Sequence, residues 1–331
     1  MILITGGAGY IGSHTVLNFL KDNYDVLVFD NLETGHIETI EELKKSGNVT
    51  FEKGDLRNID DIDKVFSKYK IDAVIHFAAF SLVGESVENP AKYYRNNTLG
   101  TLNLLDTMVK HNVKKIIFSS TCATYGEPNY TPIDEKHPQN PINPYGASKL
   151  MVERIMADYD AAYGLKSVKL RYFNVAGCDT QGRVGEWHEI ETHLIPNILK
   201  SVFEDEKTFK IFGDDYPTPD GTCIRDYVNV EDLAQAHKLA YLWLEKENRS
   251  EVFNLGTENG NSVKEVFDTC EKVLNRKINV EVAKRRPGDP ATLFANAAKA
   301  KTVLNWKPEN SLEHSIQTAY KFEQKLQNLK K

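Results

Sequence analysis

The sequence predicts an α/β protein, a doubly wound parallel sheet with a smaller C-terminal lobe. Three observations predict it. Short apolar runs recur through the first half, helical patterns separate them, and a glycine-rich turn joins the first run to the first helix. The runs are MILIT, DVLVFD, VTFEKGD, AVIHFAA, KKIIFSS and SVKLRYFN, short apolar-centred stretches that read as buried parallel strands. Helical spacing falls at about residues 12–22, 59–69, 90–111 and 144–163. Strand, helix and strand repeated in this way require right-handed crossovers and a parallel sheet. From about residue 174 the rhythm breaks. Residues 177–192 are polar with interspersed glycine, residues 213–222 (GDDYPTPDGT) are turn-rich, and later helices are expected at about 230–247 and 262–275. The sheet domain is therefore placed at 1–173 and the smaller lobe at 174–331, with 225–257 a candidate to return to the sheet. A second ligand would sit in the crevice between them.

Bulk properties bound the function classes. The chain has 331 residues, 41% hydrophobic and 27% charged, with a formal net charge of −6. That balance suits a soluble globular protein and argues against nucleic acid as partner, which needs a concentrated basic face. Cys122, Cys178, Cys223 and Cys270 include no short-spaced pair, so neither a disulfide framework nor a zinc cage is expected, and a reducing compartment is. The opening MILITGG lacks the basic start and longer apolar core of a secretory signal. No window is long enough to span a membrane. The cytoplasm is the expected location.

ITGGAGYIGSH sets Gly6, Gly7, Gly9 and Gly12 between a strand and a helix. Both Gly7-x-Gly9-x-x-Gly12 and Gly6-x-x-Gly9-x-x-Gly12 fit dinucleotide-binding spacings, the hallmark of a Rossmann sheet. Such glycines permit a tight turn, close approach of a diphosphate and close packing of helix on strand, while the helix N-terminus offers free N–H groups to the anion. Asp30 ends the second strand at the spacing of a ribose contact. An aspartate there accepts from both ribose hydroxyls and repels a 2′-phosphate, which favours NAD over NADP; the alternative is a solvated aspartate in a βα loop. Asp55, after the third strand, could hold an adenine amino group or cap the helix that begins near Ile59.

Tyr145 and Lys149 in INPYGASKLMVERI stand four apart and share a helix face. An ammonium one turn from a phenol favours phenolate, as does an oxidised nicotinamide, so the Tyr145 pKa is expected to fall toward neutrality and suit a general base. Thr121, in FSSTCATYG, reaches the carboxyl edge of the sheet, where its hydroxyl could pass a proton or hold a sugar oxygen. An exposed pair on a helix surface is the bland reading of Tyr145 and Lys149. The upstream glycine loop, the hydroxyl at the intervening strand end and the Pro-Tyr helix entry favour catalysis.

These pieces, with DNLETG, HFAAFSLVGESVENPAKYYRNNTLGT, LRYFNVAG, GTCIRDYVNVEDLA and RRPGDPA in order, resemble the extended short-chain dehydrogenase/reductase superfamily. Over nearly the whole chain they resemble its UDP-glucose (UDP-galactose) 4-epimerase family. The resemblance implies an NAD-dependent isomerase of UDP-hexoses in galactose metabolism. Tyr145 would be the base, Lys149 its activator and a cofactor-ribose ligand, and Thr121 the hydroxyl partner. It implies a cofactor site of Gly6, Gly9, Tyr10, Ile11, Gly12, Asp30, Asn31, Asp55, Leu56, Phe77, Ala78, Ser81, Asn96, Lys149 and Tyr172. It likewise implies substrate contacts from Thr121, Tyr145, Phe173, Asn174, Leu194, Phe212, Arg225, Arg286 and Asp289. Two guanidiniums suit a dianionic diphosphate by bidentate hydrogen bonding; the alternative for each is a surface ion pair. Ser81 stands where some relatives carry a lysine. Leu293 stands where residue size in relatives sets access for N-acetylated sugars, and leucine is intermediate.

Rival readings are a nucleotide-sugar 4,6-dehydratase, another UDP-sugar-modifying or net dehydrogenase, and a non-catalytic NAD-binding sensor. Dehydratases of this type place Asp-Glu after the threonine, where this chain has Cys122-Ala123. A homodimer is expected by resemblance, through helices at 90–111 and 144–163, unless their apolar faces are spent on the sheet. TQGRVGEWHEIETHLIP is expected to form a loop over the substrate. Its His188 and His193 are read as structural or uridine-neighbouring, with no metal, because the spacing suggests no third ligand.

Overall fold

The computed structural model describes residues 1–203, 208–286 and 289–329. Its main sheet contains β1 (Ile2–Thr5), β2 (Val26–Asp30), β3 (Val49–Lys53), β4 (Ala73–His76), β5 (Lys115–Thr121) and β6 (Lys166–Tyr172). Between them run α1 (Tyr10–Leu20), α2 (Ile37–Lys44), α3 (Ile59–Lys68), α4 (Val83–Glu88), α5 (Pro90–Tyr93), α6 (Gly100–Lys110) and α7 (Pro144–Tyr163). The C-terminal part adds β7 (Asn174–Ala176), α8 (Leu194–Phe203), β8 (Phe209–Phe212), β9 (Ile224–Asn229), α9 (Val230–Glu247), β10 (Glu251–Leu255) and β11 (Gly260–Ser262). It ends with α10 (Val263–Leu274), β12 (Val280–Ala283), β13 (Thr292–Leu293), α11 (Ala298–Val303) and α12 (Leu312–Leu329).

Seven strands lie in the order β10-β6-β5-β4-β1-β2-β3, all paired in parallel. Alternation along each strand sends its apolar residues to opposite faces. Ile2, Ile4, Val26, Val28 and Ile75 pack with α1 and α9 on one face, whereas Leu3, Leu27, Phe29 and Val74 pack with α3, α6 and α7 on the other. The chain fills the sheet outward from β1 to β3, then returns to add β4 on the other side of β1. That reversal opens a crevice at the carboxyl edge, where Thr5, Asp30, His76, Thr121 and Tyr172 end their strands.

Several expectations are corrected. The first helix occupies Tyr10–Leu20, not 12–22; it starts directly after Gly9, and Asn23 with φ 58° lies beyond its end. The helix expected at 90–111 is interrupted by one wide π turn at Tyr94–Leu99, the kind of insertion that recurs at functional sites. Of the stretch expected to return to the sheet, β10 does so, beside β6. β9 instead pairs with β7, β11 and β13 in a separate small sheet, because its inner residues meet the cluster of α8, α10 and α12. Pro287 and Gly288 of RRPGDPA lie outside the described residues.

One buried ion pair braces the walls of the crevice. Glu153 of α7 accepts from Nε of Arg171 on β6 at 2.9 Å and from its Nη2, and also from Ser120 of β5. Arg171 donates further to Tyr125 at 3.0 Å. Both charged side chains are 6% exposed, so the pair is satisfied only as a unit. Glu153→Ala is expected to cost about 3–5 kcal/mol by stranding a guanidinium, measured as a lower urea midpoint at unchanged m-value.

Candidate active site

The crevice begins at the glycine turn. Gly6 adopts φ +72°, and a Cβ there would meet Ala78 N at 2.6 Å. A Cβ on Gly12 would lie 2.2 Å from Gly6 O, so only glycine lets α1 start this close to the turn. Gly9 precedes α1 with an extended backbone and no side-chain cap, which leaves the first-turn N–H groups open to an anion. Asp30 is 8% exposed. Its Oδ2 accepts from Ala8 N at 3.1 Å and its Oδ1 from Leu32 N at 2.9 Å. Burial nonetheless raises its pKa. Both oxygens keep lone pairs for further donors.

Asp55 does not cap α3. Asn58 does, accepting from Asp60 N at 3.2 Å, because Asp55 lies too far upstream and turns toward the crevice. There it accepts from Arg57 Nε at 2.9 Å and Asn31 Nδ2 at 3.0 Å, and the guanidinium holds its pKa down at about 2.

At the other end, α7 is started by Asn143, whose Oδ1 accepts from Gly146 N at 2.8 Å, with Pro144 in the first turn. A Cβ on Gly146 would stand 2.4 Å from Ala123 O. The missing side chain lets α7 press Tyr145 against the end of β5. Gly146→Ala must part these backbones, with an expected loss of about 1–3 kcal/mol seen as a lower Tm. Tyr145 is buried, with its hydroxyl beside Thr121 and close to Tyr172 and Cys122. Tyr172 Oη is bonded to Ser119 Oγ at 2.5 Å.

Lys149 Nζ donates to Ser119 O at 2.9 Å and lies 4.9 Å from the centre of the Phe118 ring. Burial lowers its pKa to about 7, against the pull of Glu153. The expected fall of the Tyr145 pKa is not found in the protein alone: burial, then Tyr172, raise it well above the usual phenol value, and only Thr121 opposes them. Desolvation penalises phenolate and ammonium alike, so the pair by itself is poised as neutral phenol beside a readily deprotonated amine.

His76 lies behind this pair. Its Nδ1 meets Thr5 Oγ1 at 2.6 Å and its Nε2 meets Thr101 Oγ1 at 2.8 Å. Thr101 donates its own proton to Asn97 O, so His76 Nε2 carries a hydrogen and Nδ1 accepts. Burial, aided by the Lys149 charge, holds this histidine neutral with a pKa of about 3.

The crevice encloses about 1080 Å³, open solvent included, and all fifteen residues assigned to the cofactor line it, as does Tyr145. Phe80, Ser119, Glu33, His188 and His193 line it as well, without having been assigned to the cofactor. Sequence reasoning also passed over Asn97. In the π turn, its Oδ1 accepts from Phe80 N at 2.9 Å and its Nδ2 donates to Phe80 O at 3.0 Å and Ser148 Oγ at 3.1 Å, tying the loop after β4 to α7. The doubled asparagine in YYRNN was its one available signal.

The remaining assigned residues gather beyond Tyr145. Phe173 packs with Cys122, Tyr125 and Leu293. Asn174 lies opposite Tyr227 in the pairing of β7 with β9. Arg225, its side chain 12% exposed, lies 3.6 Å from Asp289 and donates to Pro290 O at 2.8 Å. Arg286 stacks over Phe212 at 4.1 Å. Leu194, at the start of α8, packs on the small-lobe cluster. His188 and His193 do have acidic companions: Glu186 and Glu191 converge on them, because the loop folds back on itself in a way that linear spacing does not reveal.

Comparison with known proteins completes the picture. A family model described as GDP-mannose 4,6 dehydratase matches residues 3–319. A UDP-glucose 4-epimerase of Halalkalibacterium halodurans is 52% identical over 320 residues, covering 96% of this chain and 94% of the relative. The crystal structure of UDP-glucose 4-epimerase from Brucella ovis in complex with NAD is 45% identical at a TM-score of 0.91, covering 97% and 98% of the two chains. That of the Bifidobacterium longum UDP-glucose 4-epimerase in complex with NAD+ and UDP is 41% identical at 0.94, covering 99% of each. Likeness of this extent over nearly the whole chain shows a shared ancestry: this chain is a member of the UDP-glucose 4-epimerase family, within the extended short-chain dehydrogenases/reductases.

Proposed function

We propose that the chain interconverts UDP-glucose and UDP-galactose by oxidation at carbon 4 of the hexose, rotation of the 4-keto sugar and reduction of its other face. The observation that carries this reading is the buried Tyr145 hydroxyl on Thr121, one helical turn from Lys149, in the same crevice as the glycine turn and Asp30.

NAD is the cofactor in this reading; when bound it supplies a hydride acceptor that gives the same hydride back, so there is no net redox. The fit rests on the side-chain-free cradle at Gly6, Gly9 and Gly12 and on the lone pairs Asp30 keeps. The glycine turn and the start of α1, with Tyr10 and Ile11, hold the diphosphate, and Asp30 and Asn31 the ribose. Asp55 and Leu56 hold the adenine, while Phe77, Ala78, Ser81, Asn96, Lys149 and Tyr172 line the remainder.

Tyr145 takes the proton of the sugar's 4-hydroxyl and later returns it, and Thr121 bridges the two oxygens. Lys149 favours the phenolate through space once a further positive charge lies in the crevice. Phe173, Asn174, Leu194, Phe212, Arg225, Arg286 and Asp289 grip the UDP portion. A firm grip on UDP and a loose one on hexose is what turnover of the keto sugar requires, since binding energy is drawn from the unreactive part. Leu293 packs beside Cys122 and Phe173, a contact that supports reading it as a residue of the sugar end, where its intermediate size bears on acceptance of N-acetylated UDP-hexoses.

A dehydratase reading, suggested by the family model's description, lacks its acid and base here. Cys122 and Ala123 follow Thr121, and burial pushes the Cys122 thiol up to about 12. A homodimer fits the exposed Leu99 and Met151 on the helices expected to pair, 46% and 43% exposed. Cytoplasmic residence fits the reduced cysteines, and no described helix is long and apolar enough to cross a membrane.

The test is incubation of purified protein with UDP-galactose, and in parallel with UDP-N-acetylgalactosamine, without added NAD. Conversion of UDP-galactose to UDP-glucose, with transient reduced-nicotinamide absorbance, is the expected result. No conversion of either sugar, even with NAD supplied, would defeat the proposal.

A further inference from the structure

We propose that Glu186, His188, Glu191 and His193 bind a divalent transition-metal cation, zinc foremost, which fastens the loop between β7 and α8 over the crevice. All four belong to one stretch, EWHEIETH, and one ligand atom from each lies within 4.8 Å of every other. His188 Nδ1 stands 3.5 Å from a carboxylate oxygen of Glu186 and 3.5 Å from one of Glu191. His193 Nδ1 touches Glu186 and lies 4.0 Å from Glu191. Tetrahedral zinc with bonds of about 2.0–2.2 Å to nitrogen and oxygen sets its ligands roughly 3.3–3.5 Å apart. The two His188 separations already match this spacing, and the other ligand atoms would shift by about an ångström to close on an ion.

A second, separate observation points to a ligand. Both carboxylate side chains are 4% exposed, and Glu191 Oε2 is buried without a hydrogen-bond partner among the described residues. Its nearest positive groups, His188 Nδ1 at 3.5 Å and Lys200 Nζ at 3.6 Å, stand too far off to satisfy it. Buried acceptors are normally paired, and an orphan calls for an ion or water. Lys200 supplies one counter-charge, at 3.6 Å from Glu191. A dication held by the four side chains would give the orphan oxygen a partner.

Two imidazoles and two carboxylates, with no thiolate, suit zinc and its transition-metal neighbours, whereas magnesium prefers an all-oxygen octahedron. The placement gives the ion a purpose. His36, in the loop after β2, stacks on Trp187 at 3.8 Å and lies 3.0 Å from its carbonyl. His188 and His193 face the crevice itself. A bound ion would hold this bridge rigid from β2 to α8. The inference stands on the loop alone and does not depend on which sugar the protein acts on.

The experiment takes the full chain with its bound cofactor, dialyses it against chelator, and titrates it with Zn²⁺ and, separately, Mg²⁺ by calorimetry. One equivalent of Zn²⁺ per chain and no saturable Mg²⁺ binding are expected. The double variant His188→Ala/Glu191→Gln should lose zinc affinity by at least the roughly 10–100-fold that even outer-shell losses cost. If that variant does not fold, Co²⁺ titration of the unaltered chain decides, with the intense visible bands of four-coordinate cobalt as the expected result. Failure to bind zinc, zinc affinity unchanged in the folded variant, or only the faint bands of hexa-aqua cobalt would each overturn the site.

Discussion

Tyr145→Phe is expected to lower turnover of UDP-galactose by about 10²–10⁴-fold, the usual contribution of a positioned acid–base group, with little change in KM. The ring stays buried against Tyr93 and Phe80, so the fold has no reason to move. Only the hydroxyl beside Thr121 is lost. The pH profile separates a catalytic from a structural role. Burial raises the Tyr145 pKa in the protein alone and bound positive charge lowers it, so activity in the wild type should rise with pH until the phenol is ionised. In the variant that rising limb should vanish along with the rate. A Phe variant with full turnover, or with the limb intact, would show that another group moves the proton.

Lys149→Met is expected to act in opposite directions on activity and stability. Lys149 is 3% exposed, and its one hydrogen bond, to Ser119 O, does not repay burying a charge. Its pKa is depressed to about 7 from 10.5, so between these values the unfolded chain binds the extra proton. The cost of the charge is therefore fully present below about pH 7 and fades as pH rises toward 10.5. In cofactor-free protein, the apolar variant should be more stable by about 1–4 kcal/mol at pH 6, with the advantage shrinking toward pH 10. Turnover should fall by about 10²-fold or more, because no ammonium remains to favour phenolate. Thermal unfolding across pH, set beside the rate, checks both. A variant less stable than wild type at pH 6 would contradict the account.

The two variants mark how far local pattern reaches. The six strands of the first half, the glycine turn and the Tyr145–Lys149 spacing are written in neighbouring residues, since period, turn chemistry and helical register act over a few positions. For that reason the residues drawn from these motifs meet along one crevice wall. The spacing places Lys149 on the face of Tyr145, but the sign of each pKa shift depends on burial in the assembled chain, which for Lys149 outweighs the opposing pull of Glu153.

Four further matters were decided only by tertiary contacts. Asn97 ties Phe80 to Ser148, Glu153 finds Arg171, β9 leaves the main sheet, and two glutamates close around His188 and His193. By itself the sequence determined the doubly wound architecture and singled out the candidate reacting groups, because both rest on short-range periodicity and side-chain chemistry. The tertiary structure alone decided which charges are desolvated and which distant groups share a surface, because solvent exclusion and long-range packing are properties of the assembled chain.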